Sequence, residues 1–139
     1  MTYMLDTNSC IFIMKKIPVI VERFRSAQNA GAGVVISSIT HAELEFGVSK
    51  SKAYERNRNT LIAFSTLINI LPFDTRVSAE YGSIRATLEN KGTPIGVLDT
   101  LIAAHAKSLN LILITNNTRE FQRVDGLSIE DWSLSSFGN

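Results

Sequence analysis

The sequence predicts an α/β fold in which a central parallel sheet carries helices on both faces, and three observations lead there. Strand-like runs at residues 3–5, "GVVISSIT", "ILPF" and "LILIT" open or continue as short apolar stretches without alternation, the pattern of strands buried on both faces. Longer segments with apolar residues every three or four positions separate them, and strands alternating with helices define the class. A length of 139 residues at 45% hydrophobic composition, with no compositional break, fits one domain over residues 1–139 around a single core.

Each element follows from local chemistry. Residues 3–5 form a buried strand that stops at Asp6, which can cap a helix over "TNSCIFIM". "VERFRSAQNA" places Val21, Phe24 and Ala27 at helical spacing until Gly31 and Gly33 break the pattern. "GVVISSIT" gives a second strand ended by Ser37 and Ser38, and "SSITHAELEFG" supplies a Ser or Thr cap for a helix closed by Gly47. From Lys52 to Asn69 a charged half gives way to "TLIAFSTLIN", an amphipathic helix whose first part is solvated. "ILPF" is the third strand. Asp74 and Thr75 cap a helix with Val77, Tyr81, Ile84 and Leu88 on its core face, which runs to Gly92. "GTPIGVLD" is a constrained loop before an apolar helix, "TLIAAHAKSLN", for which Asp99 is a candidate cap. "LILIT" is the fourth strand, and "SIEDW" adds an edge strand.

Composition narrows the function classes. Cys10 is the single cysteine, so one chain can build neither a disulfide framework nor a cysteine metal cluster, which suits a reducing, cytoplasmic setting. Asp6 interrupts the stretch where a signal peptide needs apolar residues, and no run reaches membrane-spanning length. Neither secretion nor a membrane partner is expected. The net charge of +1 argues against a polyanionic partner only if every acid stays uncompensated. Neutralising Asp6, Glu43 and Asp99 with a metal would leave 14 basic residues against ten acids.

Those three acids are the candidates for chemistry. In open parallel sheets ligands collect at the carboxyl ends of strands, near a reversal of strand order. Asp6 ends the first strand, Glu43 follows the second closely, and Asn116 and Asn117 end the fourth. Two carboxylates about 4 Å apart repel by roughly 4 kcal/mol at an effective dielectric near 20. Mg²⁺ or Mn²⁺ offsets this repulsion, preferring carboxylate and water oxygens and leaving positions for phosphate. Singly, each acid also has a plainer explanation: Asp6 and Asp99 as helix caps, Glu43 as a solvated helical residue. His41 and His105 read as structural, as do Cys10, Phe121 and Trp132.

Four pieces in order, "MLDTN", "SSITHAELEFG", "GTPIGVLDTLIAAHA" and "LILITNNTREFQRVDGLSIEDW", resemble the PIN-domain ribonucleases, and within them the VapC toxins of toxin–antitoxin pairs. The resemblance runs nearly end to end and implies a three-layer PIN-like sandwich. Asp6, Glu43 and Asp99 take the places of the family's metal-binding and catalytic acids, with Asp6 and Asp99 holding the metal. Asn8 matches the polar residue that steadies the first Asp, and Thr115 matches a Ser or Thr at the last strand's end. Where many relatives carry a fourth acid, this chain has Asn117, and Glu120 is the candidate substitute. The resemblance further implies a Mg²⁺- or Mn²⁺-dependent endoribonuclease cutting structured RNA, often tRNA, as a homodimer neutralised by a VapB antitoxin.

Lys15, Lys16, Arg56, Arg58, Arg85 and Arg119 are candidates for phosphate contacts. Two rival enzymes fit less well. A haloacid-dehalogenase-type phosphatase needs a second Asp where Asn8 stands, and a response-regulator receiver needs an adjacent acidic pair before the first strand's end. A non-catalytic module that keeps the fold and binds RNA or a partner protein is the other alternative. Clustered acids speak against it, because metal-free binding of a polyanion gains nothing from them.

Overall fold

The computed structural model describes residues 1–134; residues 135–139, part of the expected single domain, lie outside the described residues. Five parallel strands form the sheet: β1 (Thr2–Leu5), β2 (Gly33–Ser37), β3 (Asn69–Leu71), β4 (Ile112–Ile114) and β5 (Ile129–Glu130). Their order is β3-β2-β1-β4-β5. The chain builds outward from β1 to β3 on one side, then returns to lay β4 on the other. The strand order therefore reverses between β1 and β4, and that is where an open α/β sheet presents its ligand crevice.

Period-two alternation sorts each strand's side chains between two cores. Leu5, Val34, Ile36 and Ile114 face one, with Phe24, Leu61, Phe64 and Trp132. Helices α1 (Thr7–Met14), α2 (Pro18–Asn29), α3 (Ser38–Lys50) and α4 (Tyr54–Ser65) supply its cover. Met4, Val35 and Leu113 face the other, under α5 (Thr75–Asn90), α6 (Val97–Ser108) and the short α7 (Thr118–Phe121). The α/β sandwich with helices on both faces is thus present as expected.

Several boundaries move for identifiable reasons. Helix α3 continues through Gly47 to Lys50, because Gly47 takes ordinary helical geometry and Ser51 ends the helix instead, its hydroxyl donating to Val48 O at 2.8 Å. The expected helix over 52–69 is only Tyr54–Ser65, since Asn69 already belongs to β3. Pro72 lacks an N–H for the ladder, so β3 stops at Leu71 and "ILPF" is a strand only in its first half. Helix α5 is capped by Asp74, which accepts from Arg76 N–H, and its end is followed by Gly92 at φ +70°, a left-handed turn that favours glycine.

One correction bears on the site. Asp99 does not cap α6: the cap is Gly96, without a side-chain hydrogen bond, and Asp99 sits in the first turn. Val97 and Leu98 are helical but exposed, so the helix read from the sequence, starting at Thr100, begins three residues late. No described helix is long and apolar enough to cross a membrane.

Candidate active site

Asp6 stands where β1 ends, at the reversal of strand order. Its backbone N–H donates to Ile114 O of β4 at 3.0 Å, and its Oδ1 accepts from Ser9 N–H at 2.9 Å. Ser9 Oγ in turn donates to Ile114 O at 3.1 Å, locking the first turn of α1 onto β4. The carboxylate is therefore both helix cap and a group fixed at the crevice. Burial pushes its pKa up, hydrogen bonds from Thr115 and Ser9 pull it down, and the Glu43 charge pushes it up again.

Glu43, on α3, is half-buried and accepts from Thr7 Oγ1 at 2.6 Å, which ties it to α1. Asp99 enters from the first turn of α6. Burial, then the charges of Asp6, Glu43 and Glu120, push its pKa up to about 6, even though the helix N-terminus favours an anion there. Beyond β4, Thr115 is fully buried, and its hydroxyl accepts from Asn117 N–H at 2.9 Å, turning the chain back toward the crevice. Asn117 Nδ2 then donates to Glu120 Oε2 at 2.9 Å. Asn117 thus steers the carboxylate that follows it by three residues.

Four acids from four separate segments, Asp6, Glu43, Asp99 and Glu120, share one electrostatic environment at the carboxyl end of the sheet. The expected supporting residue Asn8 does not join them: it is exposed, and Ser9 makes the contact to Asp6. Ser9 was legible as the third residue after a capping Asp. Thr7 carried no signal, since its partner lies 36 residues away. The histidines stay outside: His41 approaches Glu45 at 3.6 Å, and buried His105 meets Ser37. Among the phosphate candidates, Arg58 is engaged by Glu45 at 2.7 Å and Arg85 by Glu89 at 2.8 Å.

The donor chemistry suits a hard cation. Among the described residues no group of three or more His, Cys, Asp or Glu side chains is placed to hold a metal ion by itself. Mg²⁺ does not require one, because it typically takes one or two carboxylates and fills its remaining positions with water and substrate phosphate. Asp6 and Asp99 match that pattern: burial and the Glu43 charge push the Asp6 pKa up, burial and the charges of Asp6, Glu43 and Glu120 push the Asp99 pKa up, and a cation relieves both.

A parallel sheet with an acid cluster at its strand-order reversal defines a class, and comparison with known proteins gives it a name. The profile of the PIN domain matches residues 3–127. The chain is 47% identical over 132 residues to the tRNA(fMet)-specific endonuclease VapC of Shigella flexneri, covering 94% of this chain and 98% of that one. It is 46% identical to Ribonuclease VapC2 of Haemophilus influenzae over 131 residues, 94% of this chain and 97% of the relative. The structure of VapBC2 from Rickettsia felis bound to a DNA fragment from their promoter superposes with TM-score 0.91 at 41% identity, covering 95% of this chain and 99% of that one. The chain therefore belongs to the PIN-domain family, in its VapC branch of toxin ribonucleases.

Proposed function

We propose that this endoribonuclease acts on structured RNA, with tRNA as the target class, and that cleavage depends on Mg²⁺ or Mn²⁺. The observation that carries the reading is Asp99, whose pKa is pushed up to about 6 by burial and by three other acids around it. A fold gains nothing from such an arrangement unless a cation enters it. Support for tRNA comes from the relatives that are tRNA(fMet)-specific endonucleases.

Bound there, the ion supplies Lewis-acid polarisation of a phosphate oxygen and a lowered pKa for a coordinated water. The chain's residues do the rest. Asp6, immobilised by its cap, and Asp99, projecting from α6, are the ligands. Glu43, held by Thr7, orients the attacking water and takes its proton as the phosphodiester is opened in line. Glu120, steered by Asn117, would hold a second ion if one binds, which would stabilise the leaving oxygen. Thr115 fixes the turn that brings Asn117 and Glu120 in. Asn8 acts at most through solvent.

The same reading makes residues 1–139 one cytoplasmic domain, functioning as a homodimer and neutralised by a VapB-type antitoxin. Solved relatives that are VapBC complexes support that partner. The test is cleavage of total bacterial RNA with Mg²⁺, Mn²⁺ or EDTA, beside folded Asp6→Asn and Asp99→Asn variants. Discrete cuts that need the metal and both aspartates are the expected result. Cutting that survives EDTA and both substitutions overturns the metal mechanism, and RNA binding without cutting favours the non-catalytic module.

A further inference from the structure

Beside the acids lies a cavity of about 540 Å³ between α1, α3 and α4, with Glu43 in its wall. That size falls in the ~300–1,000 Å³ range of pockets that hold small ligands or their parts. Its floor is apolar, and Met14 offers a polarizable thioether, which makes favourable contact with aromatic rings. Asn57, Arg56 and Lys15 stand at its polar side. Among the described residues no hydrogen bond or ion pair engages these three side chains, in contrast with Arg58, next to Asn57 on α4, which Glu45 and Tyr54 occupy. Gly47 also lines the cavity, and a Cβ built on it meets nothing within 4 Å. The space in front of the glycine is open.

We infer that this cavity is a nucleotide subsite, taking an unstacked base of the RNA next to the phosphodiester that reaches the acids. The inference rests on the ribonuclease reading and extends it to substrate choice. Charge selects the occupant: two exposed, unengaged cations, Lys15 and Arg56, share the lining with Glu43 and match a chain whose phosphates flank the base. Sequence-specific recognition of RNA works on bases splayed out of single-stranded loops and read along their edges. An apolar floor with one unengaged amide, Asn57, provides for both burial and edge reading.

The test uses the RNA that the purified protein cuts out of total bacterial RNA, resynthesised intact and with single abasic positions scanned across the cut. Bis(p-nitrophenyl) phosphate serves as a baseless phosphodiester. In the unmodified protein, one abasic position adjoining the cut is expected to lower kcat/KM at least tenfold. Gly47→Phe fills the cavity, so its ratio of RNA to small-ester hydrolysis is expected to fall at least tenfold, and the abasic position should cease to matter. Gly82→Phe, an equally open helical glycine on α5 far from the cavity, controls for the added ring. Should Gly47→Phe not fold, Asn57→Ala is expected to raise KM for intact RNA and lose the same abasic sensitivity.

A folded Gly47→Phe protein that cuts RNA as the unmodified one does assigns the cavity to something else and overturns the inference. So does tolerance of every abasic position. Hydrolysis of neither RNA nor the small ester by the unmodified protein brings down the nuclease reading itself, a distinguishable failure.

Discussion

At the carboxyl end of β2, the fully buried Ser37 hydroxyl accepts from Ile39 N–H at 3.1 Å and meets His105 Nδ1 at 2.8 Å. One strand over, at the carboxyl end of β1, Asp6 shares its surroundings with Glu43, Asp99 and Glu120. Both clusters join α3 to α6, yet they are built on opposite principles. Around Ser37 every contact is between neutral partners: its oxygen accepts from the α3 terminus, and the same hydroxyl shares a hydrogen bond with the imidazole Nδ1. Burial holds His105 below its usual pKa, so it stays neutral, with the Phe73 ring edge-on at 5.5 Å. Around Asp6 like charges face one another. A buried polar group paired with a neutral partner reads as architecture, and carboxylates crowded against one another as a site held ready for a cation.

The sharpest way to break this contrast is to neutralise one member of each cluster. Asp6→Asn or Asp99→Asn should cost at least about 100-fold in RNA cleavage, the scale of removing a charged group that acts at the transition state. Stability should move the other way for Asp99→Asn, because a repelled, half-buried charge is lost. His105→Ala should lower stability by about 2–4 kcal/mol in urea titrations, since it opens a cavity and strands the Ser37 hydroxyl. Two substitutions with the same sign of effect on stability would erase the distinction.

The contrast was only partly visible in the sequence. Strand and helix order could be read because apolar periodicity is local, and Asp6 because a strand ending in Asp-Thr-Asn is both a cap and a delivery point. Glu43 and Asp99 were legible as types and positions, but their convergence depends on strand order, which no local pattern encodes. The Thr7–Glu43 and Ser37–His105 hydrogen bonds span 36 and 68 residues and left no trace in spacing. The start of α6 was misplaced because Val97 and Leu98 are helical without being buried. The plainer reading of Asp99 as a cap therefore drops out, and its place among the acids remains.

A smaller effect sharpens the comparison through pH. The folded-state pKa of Asp99 is raised from 3.8 to about 6, so the folded protein holds that proton more tightly than the unfolded chain does. Its contribution is fully present below about 3.8 and is lost as pH rises through about 6. His105 works oppositely: its lowered pKa costs stability as pH falls below its ordinary value of 6.5. The two are separated by comparing Asp99→Asn with the unmodified metal-free protein. At pH 7.5 the variant should be more stable by about 1–2 kcal/mol, a figure reduced for the partial exposure of Asp99. The gap should shrink at pH 5, and Mg²⁺ should raise the Tm of the unmodified protein more at pH 7.5 than at pH 5. A gap independent of pH would mean that Asp99 titrates normally.

The smallest effect concerns Asn117, where this chain departs from the four-acid pattern. Its amide donates to Glu120 at 2.9 Å, so the residue that replaces an acid keeps a neighbouring acid in place without adding to the repulsion. Asn117→Asp removes the donor and sets a second carboxylate against Glu120. Metal-free stability should fall by about 1 kcal/mol, the net worth of one hydrogen bond. In the presence of Mn²⁺ the order should invert, because the extra carboxylate adds a ligand and the ion binds only the folded chain. Thermal unfolding with and without Mn²⁺ reads both halves. If Asn117→Asp loses stability and gains no response to Mn²⁺, Asn117 is no substitute for an acid, and the second-ion role assigned to Glu120 goes with it.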